Sequence, residues 1–158
     1  MKLPIPTHLQ QYFITSERGN DEYKVTGTIR CACGGENFEI WESNERHIIQ
    51  LICKNCKREI LLFDAGKHGW DGYVCHEDYC DRTQPMAKYI CSKCGQDGVR
   101  PTVAISSQGK EDFIEFCESE DDSFSPDEWV NAFEWITVSL SCRKCGRAKR
   151  KWADIETM

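Results

Sequence analysis

Eight of the eleven cysteines in this chain fall into four close pairs: Cys31 with Cys33, Cys53 with Cys56, Cys91 with Cys94, and Cys142 with Cys145. No other feature narrows the possible folds as much. A tetrahedral metal site takes four soft donors at about 2.3 Å, delivered by two tight turns that face each other. A Cys-x-x-Cys turn brings both sulfurs to one ion while nearby backbone N–H groups point at the thiolates. A glycine after the last cysteine permits the positive φ such a turn often needs. Cys91-Ser92-Lys93-Cys94-Gly95 and Cys142-Arg143-Lys144-Cys145-Gly146 carry this pattern twice. Cys31-Ala32-Cys33-Gly34 is one residue shorter, and Cys53-Lys54-Asn55-Cys56 completes the other set.

Composition gives these sites a purpose. Only 40% of residues are apolar and 29% are charged, so the core should be thin for 158 residues. A structural zinc held by thiolates contributes on the order of 10 kcal/mol to folding, enough to offset such a core. The alternative for these cysteines is free core thiols or disulfides. The odd cysteine count fits poorly with full disulfide pairing. The N-terminus, Met1 to Thr7, has no apolar run like a secretory signal, and no stretch approaches a membrane span. The expected setting is therefore the cytoplasm, without membrane attachment, where closely spaced cysteines more often bind metal than cross-link.

The two halves follow one plan. After the Cys31 turn come strand candidates at 37–41 and 47–52, then the Cys53 turn and a strand at 59–64. After the Cys91 turn come strands at 102–105 and 135–141, then the Cys142 turn and a strand at 149–155. Nineteen residues separate Cys33 from Cys53, but 47 separate Cys94 from Cys142. The extra length holds an acidic segment, Glu111 to Asp122. It also holds Ser125-Pro126-Asp127-Glu128, which places Ser at an N-cap, Pro at N1 and Glu at N3 and predicts a short helix over 126–132. A second short helix is expected after Thr7, with Leu9, Tyr12 and Phe13 on one face. The polar stretch around 81–87 predicts a boundary between one unit at 1–80 and another at 81–158.

Paired Cys-x-x-Cys-Gly turns that each feed a strand resemble the zinc-ribbon family, well over Tyr89 to Asp154 and in part over Ile29 to Asp64. The resemblance implies a mainly β (small α+β) protein of two tandem zinc ribbons with a short helix inserted in the second. It also implies that the eight cysteines hold two structural zinc ions. Iron is the rival, because such turns also resemble those of rubredoxin, and an iron site near the surface would suit electron transfer.

Three cysteines remain: Cys75, Cys80 and Cys117. With His68 or His76 they form a conceivable third site, although the spacing matches no standard motif. His68, Trp70, Asp71 and Tyr73 lie in one Gly-rich loop, read either as a recognition loop or as aromatic cover for the seam between the halves. His8 and His47 have no companion at ligand spacing. The C-terminal segment carries Arg143, Lys144, Arg147, Lys149, Arg150 and Lys151 beside Trp152, which resembles a nucleic-acid contact strip with a stacking ring. Against it stand a net charge of -6 and nine carboxylates between Glu111 and Glu128, expected to lie beside the final strand and neutralise it. Protein–protein recognition is therefore the leading expectation and nucleic-acid binding the second. No constellation with assignable catalytic roles is present, so an enzyme is not expected.

Overall fold

The computed structural model describes residues 2–76, 83–120 and 124–158. Its strands are β1 (Phe13–Thr15), β2 (Lys24–Ile29), β3 (Phe38–Glu42), β4 (Ile48–Cys53), β5 (Glu59–Asp64), β6 (Ala87–Lys88), β7 (Val99–Ser106), β8 (Trp135–Cys142) and β9 (Ala148–Glu156). Period-two burial explains the long ones. In β8, Ile136, Val138 and Leu140 are buried while the residues between them are not, and β4 buries Ile49, Leu51 and Cys53 in the same way.

Each half builds a three-stranded antiparallel unit, β3-β4-β5 and β7-β8-β9. The units meet where β3 and β7 start, at the antiparallel pair Phe38 and Val99. Beyond that pair β7 takes β2 as its neighbour on the same sheet, and β3 takes β6. One hydrogen-bonded sheet thus runs across the boundary expected at 81–87. Apolar side chains from both halves also share one core, including Phe38, Ile40, Leu51, Phe63, Val103, Phe133, Ile136 and Trp152.

The insertion between β7 and β8 contains more helix than the sequence reading expected. Helix α1 (Lys110–Ser119) takes up most of the acidic segment, with Phe113 buried and Phe116 and Cys117 packed on the same stripe. The helix expected at 126–132 is a 3-10 helix over Pro126–Asn131, and the Glu128 carboxylate accepts the Ser125 N–H at 3.0 Å. At the N-terminus the expected helix shrinks to one 3-10 turn, Thr7–Leu9. Phe13 instead begins β1, where its ring packs against β2. A second apolar cluster of Val74, Phe113, Trp129, Val130 and Ala132 joins the insertion to the loop after β5. No helix among the described residues is long and apolar enough to cross a membrane.

Phe38 is fully buried at the junction of the two units. Phe38→Ala is expected to lower stability by about 3–5 kcal/mol, measured by urea unfolding. A loss below about 1 kcal/mol would mean that the junction is not under packing load.

Candidate metal centres

Two sets of hydrogen bonds build the centres, and they correspond between the halves. Cys53 and Cys142 end β4 and β8, opposite Phe38 and Val99 respectively. The next N–H, from Lys54 or Arg143, is donated to the carbonyl before the facing strand, Asn37 O at 2.9 Å or Gly98 O at 3.0 Å. Each turn then closes on itself, Lys57 N–H to Cys53 O at 2.8 Å and Gly146 N–H to Cys142 O at 2.9 Å. On the opposing side, Gly95 N–H reaches Cys91 O at 2.8 Å. The shorter turn closes one residue earlier, with Gly34 N–H on Cys31 O at 2.8 Å. The missing residue is thus absorbed inside the turn, and the sulfurs still converge.

The sulfur geometry fits a tetrahedral ion. Sγ–Sγ separations in the first group include 3.5 Å (Cys31 to Cys56) and 3.6 Å (Cys33 to Cys53). In the second they include 3.7 Å (Cys91 to Cys145) and 3.5 Å (Cys94 to Cys142). All four sulfurs of each group lie within 4.8 Å of one another. Four sulfurs at about 2.3 Å from a common centre would sit about 3.8 Å apart, whereas a disulfide needs about 2.05 Å. The first cysteine of every pair is buried and the second is half-buried or exposed, so each centre is covered on its inner side and open on its outer side. These two groups could hold two metal ions.

Protonation divides the thiols. The Asn55 side-chain amide, 3.4 Å from Cys33 Sγ, together with the Gly35 N–H, holds the Cys33 thiol down to about 6. Burial pushes Cys31 up to about 12. The N–H groups of Cys145 and Lys144 hold Cys142 down to about 6. Those of Cys94 and Lys93 lower Cys91. The Gln96 N–H favours the Cys94 thiolate, but burial and proton sharing with the other three thiols outweigh it and raise Cys94 to about 11. Four thiols this close cannot all ionise unless a cation replaces their protons, and a divalent metal does this.

Two residues that the sequence reading passed over also serve the centres. Asp97 ion-pairs with Lys54 of the first group and, at 2.9 Å, with Lys88, which hold its carboxyl down to about 2. It therefore ties the two turns together. Lys57 occupies the place that Gly146 fills in the second group, and both have positive φ, 66° and 77°.

The remaining sequence candidates are dispersed. Trp70 packs edge-on to Phe116 and Phe113 at 4.9 and 6.4 Å, and Tyr73 stacks on Phe124 at 5.1 Å. Both rings thus cover the insertion. Asp71 donates its N–H to Thr157 O at 2.7 Å. His68 stacks on His8 with ring centroids 3.6 Å apart, and burial pushes His68 down to about 3. A cavity of about 220 Å³ lies beside this loop, bordered by His47, His68, Asp71 and Glu156. Cys117 belongs to the insertion cluster and the His76 ring lies 6.4 Å from Phe124, while Cys80 is outside the described residues. Among the described residues only the two four-cysteine groups gather metal ligands, so Cys75, Cys117, His68 and His76 form no third group there. Arg143, Lys144, Arg147, Lys149, Arg150 and Lys151 are all exposed on β9 and the turn before it. Trp152 is not available for stacking on a base: it is 4% exposed, packed edge-on to Tyr89 with the Arg46 guanidinium over its ring.

Comparison of the chain with protein-family models, with curated proteins and with solved structures finds no match.

Because burial holds His68 neutral, the unfolded chain binds its proton first. Stability from this group is complete above about pH 6.5 and is lost as the pH falls toward 3, at up to about 1.4 kcal/mol per pH unit. His68→Asn keeps an acceptor for the Asp64 N–H. It is expected to flatten the fall in stability between pH 6.5 and 5 by on the order of 1–2 kcal/mol; equal slopes would show that His68 titrates normally. At Lys57, a left-handed non-glycine residue costs about 1–2 kcal/mol, against about 0.5–1 kcal/mol for the added chain entropy of glycine. Lys57→Gly is therefore expected to be neutral or to stabilise the protein by up to about 1 kcal/mol in thermal unfolding, whereas Gly146→Lys is expected to destabilise it.

Proposed function

We propose that the chain is a non-catalytic binding module of two zinc-ribbon units, shaped by two structural zinc ions. One observation carries this reading: each centre gathers four thiols, the full complement of a closed tetrahedral site. A catalytic zinc keeps a position for water or substrate, usually beside three protein ligands. Zinc and iron both accept an all-sulfur tetrahedron, and zinc is favoured because closed four-cysteine sites are its usual structural use. Ions of this kind would lock the turns and the strands they end, and a locked turn loses little entropy when a partner binds it.

The expectation of a protein partner leaned on the acidic insertion lying beside the basic segment. The strand register instead pairs Ser106 with Trp135 at the insertion end of β7 and β8, and Val99 with Cys142 at the metal end. That argument against a polyanionic partner therefore falls away.

Elemental analysis of the protein purified without added metal is expected to give two zinc ions per chain and no visible absorption. Two irons would overturn the zinc reading, and metal-free folded protein would overturn both. Cys94→Ser is expected to release one ion and to remove the near-ultraviolet circular dichroism of the β7–β9 unit. Retention of two ions with unchanged thermal stability would contradict the ligand assignment.

A further inference from the structure

We propose that β9 and the metal turn preceding it dock the phosphate backbone of a nucleic-acid duplex. The proposal rests on the structural-zinc reading, since the second ion fixes the turn that carries Arg143 and Lys144.

The first observation is a cluster of cations met by little opposite charge: Lys151 acts on the Asp154 carboxylate, three residues further along β9. Arg143, Lys144, Arg147, Lys149, Arg150 and Lys151 are exposed, and none forms an ion pair with a described residue. Six cations elsewhere are paired: Arg30 and Arg100 share Glu36, Lys54 and Lys88 share Asp97, Arg46 meets Glu42 and Lys110 meets Asp127. Others, such as Arg18, Lys24 and Lys67, are as unpaired as those of the strip, so what sets the strip apart is six such cations between Arg143 and Lys151. Lysines on an open strand edge often serve only to block edge-to-edge pairing. That role does not account for the three cations in and just after the turn, which lie outside the strand.

The second observation is a strained bulge that presents the charge. Leu140 faces Lys149 and Val138 faces Ala153, so Ser139 of β8 stands opposite three residues of β9. Lys151 takes a left-handed φ of 48°, and its N–H is donated to the Ser139 hydroxyl at 3.0 Å. The bulge turns Trp152 into the core and leaves Lys149, Arg150 and Lys151 all exposed, where plain alternation would turn at least one of them inward. A left-handed lysine costs about 1–2 kcal/mol, and here that strain goes with the exposure of three neighbouring cations.

The third observation is separation of charge. Along β8 the Trp135 end lies about 13 Å from Ser139, where Lys151 is held, and about 23 Å from Cys142 at about 3.3 Å per residue, against a screening length of about 8 Å in physiological salt. The acidic helix α1 lies at the Trp135 end, where Glu111 and Asp112 act on Tyr23 in the turn before β2. The net charge of -6 is therefore not the charge a ligand meets at the strip.

The class of ligand follows from what the strip lacks. Between Arg143 and Lys151 no large apolar side chain is exposed, so there is no aromatic or aliphatic anchor of the kind that protein interfaces depend on. With Trp152 buried there is also no platform for the splayed bases of a single strand. Cations alone read backbone, without sequence preference.

The test uses the full chain with two zinc ions confirmed. Fluorescence anisotropy would be measured with mixed-sequence DNA and RNA duplexes of about 20 base pairs, with the single strands and with labelled poly-glutamate, between about 50 and 200 mM salt. Duplex binding is expected with a slope of log K against log salt of about -5 for six contacts. Lys149→Ser, Arg150→Ser and Lys151→Ser together are expected to weaken binding at least about tenfold at the lower salt and to bring the slope to about -3. Glu115→Gln with Glu118→Gln is expected to leave the slope unchanged. The proposal is overturned if the two-zinc chain binds no duplex, if the triple variant binds as well as the parent, or if the strip holds single strands or poly-glutamate more tightly than duplex. A chain that carries no zinc would fail the underlying reading instead.

Discussion

The convergence of four sulfurs at the end of each hairpin is the constraint on which the rest of this structure depends. Sulfur separations of 3.5–3.7 Å are too long for a covalent link and too short for ionised thiols without a cation between them. A divalent ion would settle both conditions. Binding of a structural zinc contributes on the order of 10 kcal/mol or more, as much as the whole stability of many domains. A chain with 40% apolar residues gains most from such a contribution.

The centres also fix how the halves meet. Cys53 and Cys142 sit opposite Phe38 and Val99, and these two residues pair with each other across β3 and β7. Each sulfur turn is therefore one residue step from the seam. Asp97 adds an ionic tie between the turns, through Lys54 and Lys88. At the far end of β7 and β8 the closure is apolar instead, with Trp70 and Tyr73 packed onto the insertion and Thr157 held by the backbone around Phe133 and Asp71.

What could be read from sequence was local. The four cysteine pairs, the six strands around them and the Ser125–Glu128 helix start all depend on neighbours within a few residues, and each has its counterpart in the fold. Helix α1 was hidden by its charge: Phe113, Phe116 and Cys117 have helical spacing, but the surrounding carboxylates made the segment look like a solvated loop. Strand β2 was obscured by Gly27, which breaks the alternation of Val25 and Ile29. That glycine is needed because a Cβ there would run into the Phe13 ring and the Ile14 carbonyl. The pairing of β2 with β7 and of β3 with β7 has no local signal, since it joins residues far apart in the chain. The β9 bulge was equally silent. It reversed the reading of Trp152 from contact residue to core residue while leaving its basic neighbours exposed.

On the proposed reading, metal, junction and charge form one chain of dependence: bound ions would set the turns, the turns adjoin the seam, and the outer turn carries the cations. X-ray absorption at the zinc edge tests the first link most directly. The expected spectrum has four sulfur scatterers per zinc at about 2.3 Å and no nitrogen or oxygen shell. A site with fewer than four sulfurs, or with bound water, would contradict a closed structural centre and with it the claim that the ions only support the fold.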